Sequence, residues 1–319
     1  MIAPTTSPAA GRVGWTDVRM DTLITIQLGV PAAEPWTDAV SRAFGWFAAV
    51  ESACSRFDPA SEVSRLAKQV GRPVAVSQIL AGTLRIALTL AEATGGAFDP
   101  AIGNRLEAAG YDRDYRTGRR RRTGIDPADL ATYRDVLLDP DDTTVTLRRP
   151  VLLDLGAVAK GVAVDLAARE LSGTPGAVID AGGDVYAHGV DLDGRGWRIG
   201  IAHPRRRGAL LGSVDVVDLA LATSGDYARP GHIIDPRPAT TPPTTTTTRR
   251  PVSVTVLAPT ASAADALSTA AAVLPLADGL DLLNRFDQVE ALLVTEAGRC
   301  VPTTGFPGNT STEAEVGTW

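Results

Sequence analysis

The chain is poor in the features by which a sequence most readily declares itself. It has two cysteines in 319 residues, Cys54 and Cys300. Two lone cysteines cannot build a disulfide framework or a CxxC zinc site, so both read as small buried hydrophobes. There is no cationic excess. With 31 Lys+Arg against 37 Asp+Glu the formal charge is −6, which argues against a partner held by phosphate neutralisation and so against nucleic acid. No charge-free apolar stretch reaches the ~18–20 residues of a membrane span; the candidate at 251–277 is divided by Asp265. The opening MIAPTTSPAAGRVGW lacks a basic start, an apolar segment and a small-residue cleavage site, and no cysteine near it can take a lipid. A cytoplasmic location without a signal peptide is the expectation. What is present is ordinary: 44% apolar and 21% charged residues describe a folded chain long enough for one large domain or two smaller ones.

Residues 1 to about 17, rich in Pro, Ala, Gly and Thr, read as a loose tail. DTLITIQLGV (21–30) is β-branched and alternating, a strand. From Trp36 to Cys54, apolar Val40, Phe44, Phe47, Val50 and Cys54 recur at three or four and predict an amphipathic helix. A second helix starts at the N-cap Ser77, runs through Leu80, Leu84, Leu88 and Ala91, and stops at Gly95-Gly96. Strands are expected at 177–190, 197–203, 213–225, 252–259 and 289–299, with helices at 156–171 and 261–274. Strands cluster rather than alternate with helices, so the fold class is α+β rather than a doubly wound sheet. Two stretches are compositionally odd. RTGRRRRTG (116–124) carries four consecutive arginines, a solvated loop or an anion or partner contact. PATTPPTTTTTRRP (238–251) is low-complexity and cannot build a core, so a surface loop is expected.

Four segments have the residue types for chemistry. In TGGAFDPAIG (94–103), two glycines after a helix let the backbone approach a ligand, or simply end the helix. LLDLGAVAKGVAVD (152–165) runs from a strand end into a helix start, with Lys160 one turn in, an anion site without the GxxxxGK[ST] pattern. Asp265 and Thr269 in ADALSTA (264–270) lie four apart, which on a helix puts their oxygens on one face. Hard oxygens so arranged suit Mg²⁺, or else cap and back-bond their own helix. His232, one of three histidines, precedes Asp235-Pro236 and is either a general base or a structural histidine.

The order of these blocks is what carries a resemblance. SRFDPASEVSRL (55–66), TGGAFDP (94–100), LDLGAVAKGVAVD (153–165), DAGGDVYAHG (180–189), WRIGIAHP (197–204), ATSGDY (222–227), HIIDP (232–236) and SVTVLAPTASAADALSTA (253–270) together resemble the ApbE family of FAD:protein FMN transferases, from about Met20 to Phe306. The resemblance implies an ApbE-like (T-fold-like) α+β fold of largely antiparallel sheets with packed helices, a single domain over 18–319 with 238–251 as a loop insertion. It implies a Mg²⁺-dependent enzyme, with Mn²⁺ as the alternative ion, that takes FAD as substrate. FMN would pass to a Thr or Ser hydroxyl of an acceptor protein, with AMP leaving. By position, Met20, Phe57, Ala97, Phe98, Asp99, Asp154, Lys160 and Ile234 match the family's flavin-nucleotide contacts. Asp265 and Thr269 match its metal ligands with the backbone oxygen of Ala157, and His232 its general base. The alternatives are a Mg²⁺-dependent FAD pyrophosphatase yielding FMN and AMP, and a non-catalytic FAD-binding module.

The chain departs from that pattern in three places. Met20-Asp21-Thr22 stands where Met-Gly-Thr is usual, bringing a carboxylate near the expected flavin. Phe57 replaces a common Tyr and keeps the stacking face without the hydroxyl. After HIIDP, Arg237-Pro238-Ala239 replaces Arg-x-Gly and leads into the threonine run, which is either an idle insertion or a segment modified in cis.

Overall fold

A computed structural model describes residues 5–6, 12–30, 33, 35–114, 117–125, 131–141, 143–225, 233–237, 249–307 and 309–310. The strands are β1 (Thr5–Thr6), β2 (Val13–Arg19), β3 (Thr22–Leu28), β4 (Pro73–Ala75), β5 (Val136–Leu138), β6 (Thr144–Leu147), β7 (Gly176–Ala181) and β8 (Val185–Gly189). They continue as β9 (Trp197–Ala202), β10 (Leu210–Val216), β11 (Leu219–Ser224), β12 (Ser253–Ala258), β13 (Glu290–Val294), β14 (Cys300–Pro302) and β15 (Asn309–Thr310). The α-helices are α1 (Thr37–Cys54), α2 (Glu62–Leu66), α3 (Gln78–Ala93), α4 (Gly103–Ala108), α5 (Gly156–Glu170), α6 (Ala261–Ala272) and α7 (Leu276–Leu283).

Nine strands form one sheet in the order β1-β2-β3-β7-β8-β11-β12-β13-β14, with every neighbouring pair antiparallel. Smaller sheets run β15-β10-β9 and β4-β6-β5. Period-two alternation gives the large sheet two covered faces. Ala220, Ala222, Val256, Ala258, Ala291 and Leu293 point into the helical core. The intervening Leu221, Leu257 and Leu292 meet Trp197, Ile201 and Val214 of the second sheet. All six residues of β12 are therefore buried. The architecture is the expected α+β fold with mostly antiparallel sheets.

The helices form for the reasons their spacing gives. In α1, Val40, Phe44, Phe47, Val50 and Cys54 are all buried. Ser77 caps α3, its side chain accepting from Leu80 N–H, and Gly95 and Gly96 end it at φ 61° and 80°. Cys54 is buried and Cys300 half-buried, both free; burial pushes the Cys54 thiol up to about 12.

Four expectations need correction. The strand expected at 289–299 is β13 alone, ending at Val294, where Thr295 O accepts from Gly298 N–H at 2.9 Å and turns the chain into β14. Residues 5–6 and 13–17, read as tail, belong to β1 and β2, because Val13 and Trp15 alternate inward and are buried and β1 pairs alongside them. The single strand expected at 177–190 is the hairpin β7–β8, folded at Gly182-Gly183 with φ 71° and 101°. The strand expected at 213–225 is likewise divided into β10 and β11, with Asp218 at φ 51° between them. Among the described residues no helix is long and apolar enough to cross a membrane.

Candidate functional site

Two helices bring the central groups together. Gly161 of α5 faces the start of α6 so closely that a Cβ there would lie 2.5 Å from the backbone of Ala261 and Ser262. Asp165, one turn further along α5, accepts from the Ala261 and Ser262 amides at 2.7 and 3.1 Å and from Ser262 Oγ at 2.6 Å. It thus satisfies amides that the start of α6 leaves without intrahelical partners. This fixes the relative register of the helices and sets Lys160 against Asp265.

Lys160 Nζ donates to Asp184 Oδ2 and lies 3.6 Å from Asp265 Oδ2. Burial by itself would lower the Lys160 pKa, but the two carboxylates outweigh it and hold the ammonium charged, above the ordinary lysine range. Burial pushes the Asp265 pKa up to about 7; the charge of Asp184 adds to this and Lys160 opposes it. Asp265 Oδ2 is buried and accepts no hydrogen bond among the described residues. Four residues on in α6, Thr269 Oγ1 shares a 3.0 Å hydrogen bond with Ser224 Oγ at the end of β11, and Ser224 Oγ also meets Ser268 Oγ at 2.8 Å. Ala157, in the first turn of α5, leaves helical geometry at φ −93°, ψ 20°. Among the described residues no three His, Cys, Asp or Glu side chains converge as a metal site. The expected donor set is of another kind: one carboxylate, one hydroxyl and one carbonyl. A buried carboxylate oxygen without a hydrogen bond, beside a hydroxyl on the same helix face, fits a hard divalent cation.

Around this pair the other expected residues are linked through backbone and side chain. Asp154 precedes α5, accepts from Gly156 N–H at 2.8 Å and forms an ion pair with buried Arg56. The Arg56 guanidinium lies 4.1 Å from the centroid of the Phe57 ring, so that face of the ring is covered by the protein's own cation. Asp154 N–H donates to Pro100 O at 2.8 Å, which joins the 94–100 turn to the start of α5. Ala97 and Phe98 are 1% and 4% exposed, and both pack into the helical core. Asp99 gives one carboxylate oxygen to Ala101 N–H at 2.8 Å and the other to Tyr133 N–H at 3.1 Å. These two bonds hold the turn.

Met20 and Asp21, at φ 49° and 58°, are the two central residues of the β2–β3 hairpin turn, the left-handed pair of a type I′ turn. Met20 N–H donates to Glu51 Oε2 at 3.3 Å. This turn sits beside the β7–β8 turn: a Cβ on Gly182 would lie 2.2 Å from Thr22 Oγ1. Ile234 is half-buried, in a segment whose Asp235 carbonyl accepts from Arg105 Nη1 of α4 at 3.4 Å. His232 and residues 238–248 of the threonine-rich stretch lie outside the described residues.

Four participants escape the sequence reading. Asp184 follows the Gly-Gly turn inside DAGGDVYAHG, and Arg56 precedes Phe57; both stand in quoted blocks, and each could have been singled out as a charge beside a special turn or a ring. Asp165 looks like any polar residue on a helix until α6 is placed against it. Ser224, in the quoted ATSGDY block, is found only when α6 is packed against the end of β11.

Residues 20–293 match the model of the ApbE family. A FAD:protein FMN transferase of Treponema pallidum is 33% identical over 265 residues, which are 73% of this chain and 70% of that protein. The crystal structure of the ApbE protein from Thermotoga maritima superposes with a TM-score of 0.78 at 30% identity, covering 92% of this chain and 97% of that one. The flavin transferase ApbE from Vibrio cholerae superposes with a TM-score of 0.77 at 26% identity, over 92% and 98% of the two chains.

Proposed function

Because this chain belongs to the ApbE family, we propose that it is a FAD:protein FMN transferase, moving FMN from FAD onto a Thr or Ser hydroxyl of an acceptor protein. The acceptor oxygen attacks the FMN phosphorus, the pyrophosphate bond breaks, and AMP leaves. FAD is consumed as a substrate and undergoes no redox change. The observation that carries the reading is the arrangement of half-buried Lys160 between buried Asp184 and Asp265, with Asp265 Oδ2 lacking a hydrogen bond and Thr269 on the same helix face.

A pyrophosphate resists attack because its own charge repels an incoming oxygen. Lys160, held protonated by its two carboxylates, supplies fixed positive charge that needs no reorganisation during the reaction. Asp265, the Thr269 hydroxyl and the Ala157 carbonyl would hold Mg²⁺, or Mn²⁺, which when bound neutralises pyrophosphate oxygens as a Lewis acid. Asp154 shapes the entry to α5 through Gly156 and Arg56. The backbone of the 94–100 turn, Met20, Phe57 and Ile234 would border the flavin nucleotide. A hydroxyl is a weak nucleophile at neutral pH, and His232 is the group assigned to take its proton. Cytoplasmic residence belongs to the same proposal, with cell fractionation as its test.

The deciding experiment incubates the protein with FAD, Mg²⁺ and a flavin-acceptor domain, and follows covalent fluorescence in a denaturing gel together with released AMP. Labelled acceptor and stoichiometric AMP are expected. AMP without label would mean hydrolysis, and neither product would mean a binding module. Asp265→Ala is expected to abolish metal-dependent turnover; full activity in that variant would remove the metal assignment.

A further inference from the structure

Six arginines fall within the ten residues 113–122 of a chain whose net charge is −6. The described part of this stretch folds back on itself. Arg113 and Arg120 form an antiparallel bridge, Asp114 N–H donates to Arg119 O at 2.9 Å, and Arg121 N–H donates to Asp112 O at 2.6 Å. Arg113, Arg119, Arg120 and Arg122 are exposed. One carboxylate at the base, fully buried Asp112, accepts from Arg122 Nε at 2.8 Å and faces Arg120 Nε at 3.7 Å. A loop that needed only solubility would not hold so many like charges in register, since their mutual repulsion opposes folding.

The hairpin is fastened to the site. At one end Tyr111 O accepts from Arg56 Nη2 at 2.7 Å, and Arg56 pairs with Asp154. At the other, Thr123 N–H donates to both carboxylate oxygens of Glu107 at 2.9 and 3.1 Å. Glu107 lies in α4, whose Arg105 bonds the backbone of Asp235, next to Ile234. The arginine cluster is thus tied to Arg56, the ion-pair partner of Asp154, and to α4, which bonds the 233–237 segment. Exposed guanidinium groups match carboxylates in shape and charge and pair with them bidentately.

We infer that the exposed Arg113, Arg119, Arg120 and Arg122 form the docking surface for an acidic face of the protein acceptor, delivering its hydroxyl to the adjacent site. The inference rests on the transferase reading for the identity of the partner, and on the hairpin alone for its chemistry. The charge selects among acceptors and raises the encounter rate, while the reacting groups remain those of α5 and α6.

The test is binding, measured apart from turnover. A fluorescein-labelled peptide with one threonine among aspartates and glutamates, and its Asn/Gln twin, are titrated by anisotropy at roughly 50 and 300 mM NaCl, across which charge screening grows severalfold. The acidic peptide is expected to bind more tightly than the neutral twin and to weaken with salt. Arg113→Gln/Arg119→Gln, which leaves the contacts to Asp112 intact, is expected to weaken binding about five- to tenfold. Arg113→Lys/Arg119→Lys should restore part of it, the charge without the bidentate fit, and circular dichroism of each variant should match the parent. Equal binding of the two peptides, or of the parent and the Gln variant, would overturn the inference. A DNA duplex that binds as tightly as the acidic peptide would overturn it in favour of nucleic acid. A loss of FAD affinity in the Gln variant would assign the hairpin to FAD instead. Absence of FMN transfer with these binding preferences intact would count against the transferase reading alone.

Discussion

Lys160 is shared by two carboxylates of different origin, one at a hairpin turn and one on a neighbouring helix, and the balance between them sets what Asp265 can do. In Asp184→Asn, Lys160 loses its closer partner and is left to Asp265, where it competes with a cation for the same oxygen. Apparent Mg²⁺ affinity in the turnover assay is expected to fall by about 10–100-fold, the usual cost of losing a group that orients a ligand. Turnover at saturating Mg²⁺ should recover in large part. An unchanged Mg²⁺ titration would mean that Asp184 does not govern the pair. Legibility at this scale follows sequence distance. Asp265 and Thr269 are readable because they are four apart on one helix. Asp184 is not, because the lysine it meets is 24 positions away and no local pattern encodes that meeting. His232 is readable as a candidate because histidines are few and Asp235 follows it, and the resemblance is what singles out the base from the structural reading.

At the scale of elements, the approach of α5 to α6 and the two adjoining hairpin turns decide the geometry. Gly161→Ala would drive a Cβ into the Ala261–Ser262 backbone at 2.5 Å. The helices must part, at a cost of about 1–3 kcal/mol, and Lys160 moves relative to Asp265. A lowered urea midpoint together with reduced turnover at saturating FAD is expected; loss of stability with full turnover would uncouple the spacing from the chemistry. Asp21→Gly has the opposite sign. Asp21 sits at φ 58°, where a side chain costs ~1–2 kcal/mol, and glycine returns ~0.5–1 kcal/mol of that through the unfolded chain, leaving about 0.5 kcal/mol of stabilisation. Urea denaturation of the two proteins side by side measures it. The helices were legible because their apolar faces repeat and Ser77 and Gly95 mark their ends. The β7–β8 turn was signalled by Gly182-Gly183 inside an otherwise strand-like run. The β10–β11 turn carries no glycine: Asp218 takes the left-handed conformation, and Val216-Val217 before it and Leu219-Ala220-Leu221 after it make the run read as one strand.

Across the whole molecule, buried carboxylates link the fold to pH. Burial raises the pKa values of Asp99 and Asp165, against the backbone amides that bond them and, for Asp165, the Ser262 hydroxyl. A raised acid binds its proton longer in the folded state than in the unfolded one. Its contribution is therefore fully present below the ordinary carboxylate value of roughly 4 and is lost as pH rises through the folded value. Urea midpoints measured from about pH 4 upward should decline more in the parent than in Asp99→Asn, whose amide cannot titrate. Parallel curves would show that Asp99 carries no such linkage. The arrangement of sheets was the least legible part of the fold. Composition and clustering of strands gave α+β, but the pairing of β3 with β7 and of β8 with β11 depends on long-range contacts that no stretch of sequence contains.

The two faces of the large sheet also divide the labour of change. Lys160 and Asp265 lie on helices of one core, while β9 and β10 close the other around Trp197, Ile201 and Val214. The turn between those strands is exposed at Arg205–Gly208 and organised locally, with His203 Nδ1 accepting from Arg205 and Arg206 N–H at 3.0 Å. A reporter or affinity handle spliced there would be carried by the core that holds neither Lys160 nor Asp265.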